Sequence, residues 1–155
     1  IVLFLLSIFV GSFTVYSISK VQSYGTLINY LGIVRGATQR LVKLELQQQP
    51  HDELIAYIDD IIYDLKNTDG KYGLEKIPNV DYQQQFSALN TLWHRVKSNI
   101  YAVRQNPANS PLLLQSSEVH FEIANNTVFA ADNYTTSKSH QLTLLSSRVQ
   151  YSWRR

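Results

Sequence analysis

The first nineteen residues, Ile1 to Ser19, carry no charged side chain and read IVLFLLSIFVGSFTVYSIS. As a helix rising about 1.5 Å per residue, such a run spans roughly 28 Å, close to the thickness of a bilayer's hydrocarbon layer. A buried core helix would need an apolar shell on every side, and the rest of the chain is too polar to supply one. A secretory signal core would be shorter and would end at a small-residue cleavage site, whereas this run passes directly into helix-compatible sequence. The run therefore predicts a membrane-spanning helix over 1–19 and a single extramembrane domain over 20–155. Methionine is absent, at position 1 too, so the sequence is expected to begin inside a longer reading frame or to have been processed.

Beyond the membrane run no helix stop occurs before Pro50, since Gly25, Gly32 and Gly36 weaken a helix without breaking it. Tyr24, Ile28, Leu31, Arg35, Thr38 and Val42 follow one another in steps of three and four, which places them along one helix face. Five of the six suit a packed interface. The sixth, Arg35, is a permanent cation with five donors and no acceptor. Either it reaches solvent along its methylene stem, or something negative meets it in the seam. The three glycines fall on two neighbouring faces and would admit another backbone at close range.

Three further helices follow. Pro50 ends the first, and Asp52 and Glu53 complement the start of a second, whose stripe is Leu54, Ile58, Ile61 and Leu65, widened by Ile55 and Ile62. Asn67-Thr68-Asp69-Gly70 closes it, and a loop with Gly73 and Pro78 leads to Val80. Asp81 is the expected N-cap of the third helix, with Phe86, Leu89, Trp93, Val96, Ile100 and Val103 as its repeat. Ser110-Pro111 is the expected start of the fourth, with a stripe through Val119, Ile123, Asn126, Ala130, Asn133 or Tyr134, and Leu142. The expected fold class is all-α: an antiparallel up-down-up-down four-helix bundle with long first and last helices, the first continuous with the membrane span. That path returns the chain to the membrane, so Arg148, Arg154 and Arg155 are expected at the head groups, ahead of a second span.

Composition narrows the function. A formal net charge of +2 gives no polybasic surface for nucleic acid. Zero cysteines exclude disulfides, thiolate catalysis and thiolate-bound zinc. His51, His94, His120 and His140 lack metal-ligand spacing, and His120 with Glu118 and Glu122 reads as a solvated helix face. Asp59, Asp60 and Asp64 read the same way. With no nucleophile elbow, phosphate loop or paired-carboxylate motif, no catalytic residue, metal site or cofactor is expected in these residues.

Arg35 and Arg40 lie five positions apart, about 140° around a helix, so one protomer cannot aim both at one small ligand. If the first helix pairs with its own copy across a two-fold axis, two Arg35 side chains converge, and an anion between them would relieve their repulsion. Ile28-Asn29, Gly32, Arg35 and Arg40 spell I-N-x-x-G-x-x-R-x-x-x-x-R. This resembles the first-helix motif of the sensor domains of bacterial nitrate/nitrite sensor kinases and the related PilJ-type domain of methyl-accepting transducers, departing from it at Leu31 and at Gly36-Ala37.

The resemblance implies a periplasmic or extracellular bundle anchored in the bacterial inner membrane, homodimeric through the first helix. It implies a ligand such as nitrate, nitrite or a small carboxylate held between the two first helices. By position, Arg35 would contact the anion, Gly32 would allow close helix approach and Arg40 would be a secondary arginine. Ile28, Asn29 and Gly36 complete the expected ligand-binding set. Such a domain would feed a histidine kinase, a diguanylate cyclase or a chemoreceptor module. The alternative is a ligand-independent protein-interaction or structural helical module.

Overall fold

The computed structural model describes residues 1–152 apart from Thr68. Four helices, α1 (Val2–Leu46), α2 (Asp52–Lys66), α3 (Val80–Gln105) and α4 (Ser110–Ser152), carry the chain, with a 3-10 turn at Pro107–Asn109 before the last. The described residues contain no strand, and the whole is compatible with a helical bundle. The side chains of the expected head-group residues Arg148, Arg154 and Arg155 lie outside what is described.

The buried stripe of α1 is Tyr24, Leu27, Leu31, Val34, Thr38, Leu41 and Glu45, an unbroken alternation of three and four, with Ser17 one heptad earlier. This corrects the expected seam at two positions, Leu27 and Val34 being buried in place of Ile28 and Arg35, while Tyr24, Leu31, Thr38 and Val42 are buried as expected. Leu27-Ile28 and Val34-Arg35 are adjacent pairs of which the core takes the first member, whereas both Leu41 and Val42 are buried. Ile28 and Arg35 are left half-buried on the flank. Apolar Val34 thus replaces a guanidinium that would have required desolvation.

Helix α1 ends at Leu46, before Pro50, through a turn in which Gln48 takes a positive φ of 57°. Helix α2 begins at Asp52 with Asp52 and Glu53 in its first turn, and it buries Ile55, Ile58, Ile61, Ile62 and Leu65. The cap of α3 is Asn79, whose side chain accepts from the Tyr82 amide at 2.9 Å. Asp81, the expected cap, sits in the first turn instead. All six residues of the expected α3 repeat are buried.

Helix α4 departs most from its expected stripe. Leu113, Ser117, His120, Ala124, Thr127 and Ala131 are buried in steps of four and three, with Ser116 and the expected Ala130 buried beside them. Val119 and Asn126 are exposed, as is Asn133. Ser110 is already helical and donates its hydroxyl to the Pro107 carbonyl at 2.7 Å, so it is not the cap expected of it.

Contacts between α1 and α4 pair Tyr24 with Tyr134, Arg35 with Asn125, and Gln39 with Ser117, numbers rising on one helix as they fall on the other. The connection over 67–79 is fastened to the bundle. It buries Leu74 and Ile77, stacks Tyr72 on Tyr30 of α1, and joins Glu75 to Lys20 at 2.6 Å. Below Ser17 the side chains of Leu3, Phe4, Phe9, Phe13 and Tyr16 on α1 are exposed. One helix among the described residues is thus long and apolar enough to cross a membrane.

Candidate functional site

Because Val34 occupies the core, Arg35 emerges at the edge where α1 meets α4. Its Nη1 donates to Asn125 Oδ1 at 2.7 Å, and its guanidinium carbon lies 5.9 Å from the centre of the Phe121 ring. Both partners are uncharged. An amide oxygen and a ring face orient a guanidinium without neutralising it, and most of its five N–H donors are left for another acceptor. The contrast with other partly buried cations is plain: Arg104 binds Glu45 and Asp52, Lys97 binds Asp59, and Lys20 binds Glu75. Among the described residues Arg35 has no such carboxylate.

The neighbouring expected residues divide into two groups. A Cβ built on Gly32 or Gly36 meets nothing within 4 Å, so packing inside the protomer does not require glycine at either position. Asn29 is exposed, and Ile28 packs partly against the core. Arg40 is exposed and makes no ion pair among the described residues. The geometry therefore joins Arg35 with Asn125 and Phe121, and leaves Arg40 apart. Asn125 and Phe121 escape sequence reasoning because the stripe of α4 is turned by one residue. Placing Asn126 in the stripe points its neighbour away from α1.

Two further polar groups occupy the core. His120 is fully buried, which corrects its expected place on a solvated face, while Glu118 and Glu122 are exposed as expected. Its ring centre is 6.3 Å from that of Trp93, and neither ring nitrogen has a hydrogen-bond partner among the described residues. Burial pushes its pKa down to about 4. Thr38 Oγ1 of α1 is likewise buried and unpaired.

At the far end, Glu45 is 2% exposed and is held by Arg104 through Nε at 2.9 Å and Nη2 at 2.6 Å. Arg104 also reaches Asp52 at 2.7 Å. This clamp ties the ends of α1 and α3 to the start of α2.

The acidic residues of α2 also depart from expectation. Asp59 accepts from the Trp93 indole at 2.7 Å and from Lys97 at 2.6 Å, so it is structural rather than solvating. Asp64 is buried and accepts from the Tyr72 amide. No group of three or more metal-ligating side chains occurs among the described residues. No family model matches the chain, and no curated protein or solved structure matches it.

Proposed function

We propose that this chain is the ligand-sensing input domain of a bacterial transmembrane signalling receptor, binding a small anion such as nitrate beside Arg35 at a homodimer interface. In this reading the bundle is antiparallel, up-down-up-down, and α1 continues through the inner membrane with the bundle on the periplasmic or extracellular side. The observation that carries it is the half-buried Arg35, oriented by Asn125 and Phe121 yet paired with no carboxylate. Gly32 and Gly36 support it, being glycines that no contact within the protomer accounts for. The likeness of the first-helix motif to the nitrate/nitrite and PilJ-type sensor domains supplies the ligand class. Any enzymatic output belongs to a separate domain, and the anion acts by displacing α1 against α4.

The test is thermal unfolding of the full chain in detergent with nitrate, nitrite and acetate against chloride at equal ionic strength. An anion that binds the native state a hundredfold above its dissociation constant adds about 2.7 kcal/mol. The expected result is a rise in Tm with one of these anions that Arg35→Ala abolishes and Arg40→Ala leaves in place. No rise with any of them would leave the ligand-independent interaction module as the better reading.

A further inference from the structure

The lower end of the bundle coincides with the end of the uncharged run. Among the described residues Ser17 is the first buried one of α1, and the run ends two residues later at Ser19. Tyr24 meets Tyr134, so Lys20 of α1 and Lys138 of α4 stand at about the same height. The start of α3 reaches this level too, since Asn79 and Asp81 line a groove with Tyr134, Ser137, Lys138 and Gln141. The Lys20–Glu75 ion pair holds the preceding loop there.

What this base presents is specific. Lys76 and Pro78 are exposed, and Val80 is 73% exposed at the first position of α3. Glu75 is already paired with Lys20, and neither Lys76 nor Lys138 has an ion pair among the described residues. Unpaired ammonium groups beside an exposed apolar side chain, within about one helical turn of the end of a membrane span, match the layer where lipid phosphates overlie acyl chains.

We infer that this base, Lys76, Pro78 and Val80 with Lys138, is seated in the head-group layer of an anionic bilayer, Lys76 and Lys138 on lipid phosphates and Val80 at the acyl boundary, while Lys20 stays on Glu75. The inference rests on the membrane reading of α1 and adds a second attachment, through the α2–α3 connection, which is remote in sequence from the span.

The chain has no cysteine, so Val80→Cys supplies a single thiol for an environment-sensitive fluorophore. The full chain is reconstituted into vesicles of phosphatidylcholine with or without phosphatidylglycerol. The expected result is blue-shifted emission, quenched by lipids spin-labelled at the head group, and stronger with phosphatidylglycerol. The same label at Gln105→Cys, roughly 40 Å along the bundle, stays water-like. Adding Lys76→Glu and Lys138→Glu to the Val80→Cys chain abolishes the phosphatidylglycerol dependence. Water-like emission from Val80→Cys in a chain that still floats with the vesicles overturns this inference alone. Equal quenching in both lipids overturns its electrostatic part, and a chain that fails to float overturns the membrane reading and this inference together.

Discussion

His120 is enclosed against Trp93 with neither ring nitrogen paired among the described residues, and a proton added there would place a charge in an apolar surround. Its folded pKa is lowered to about 4 by burial, while the unfolded imidazole titrates near its ordinary value of 6.5. Below that value the unfolded chain takes up a proton that the native chain refuses. The contribution is therefore complete above about pH 6.5 and is lost as pH falls toward 4, amounting to roughly 3 kcal/mol at most. Urea unfolding at a series of pH values should show this decline, and His120→Leu should flatten it. At the opposite pole, the Glu45 carboxylate holds the Arg104 guanidinium in its charged form even more firmly than usual, with Asp52 assisting. Glu45→Ala leaves that guanidinium partly buried without its main partner. A loss of about 3 kcal/mol is expected in the unfolding free energy, with Arg104→Ala comparable because it strands a buried carboxylate.

Among the elements, the α2–α3 connection is the one whose behaviour differs most from its composition. Residues 67–79 contain turn formers, yet Leu74 and Ile77 are core residues and Asp64 receives the Tyr72 amide from beneath. A Cβ at Gly70 would fall on the buried Asp64 carboxylate, so Gly70→Ala must displace either the turn or that side chain. It should destabilise the chain by about 1–3 kcal/mol, read as a lower Tm, whereas Gly32→Ala should leave the isolated protomer unchanged or slightly more stable.

The helices themselves show what a spacing argument can and cannot reach. In α3 the residues Phe86, Leu89, Trp93, Val96, Ile100 and Val103 repeat in threes and fours, and the structure buries all six, with Leu92 beside Trp93. In α1, paired apolar neighbours admit two registers, and burial of Val34 in place of Arg35 decides between them. In α4 the apolar rule holds only in part: Ala130 is buried and Ile123 packs against the core, yet Ser117, His120, Ala124 and Thr127 fill it while Val119 and Phe129 remain outside. Space between facing helices sets that choice, and a single chain read by hydropathy does not reveal it. The candidate site follows the same division. Arg35 stands out as an unusual cation in a helical repeat, and its partners Asn125 and Phe121 require the rotation of α4 to be known.

At the scale of the whole molecule, the upper bundle and the apolar lower half of α1 form one helix from Val2 to Leu46. If the lower half lies in lipid, a lysine at its centre carries a penalty of about 3 kcal/mol by insertion measurements. Phe9→Lys should accordingly reduce the fraction of chain that floats with vesicles after alkaline extraction, while the exposed substitution Gln105→Lys should have no effect.

The line of small side chains along the buried face of α4 bears on movement. Ser117, Ala124, Thr127 and Ala131 are short teeth, and drawing them out of the facing recesses disturbs fewer dispersion contacts than withdrawing leucines would. Trp93 and Asn99 of α3 lie against this side of α4, at His120 and Ser116. A sliding step of α4 along its neighbours therefore meets a lower barrier than the same step would on a face of leucines.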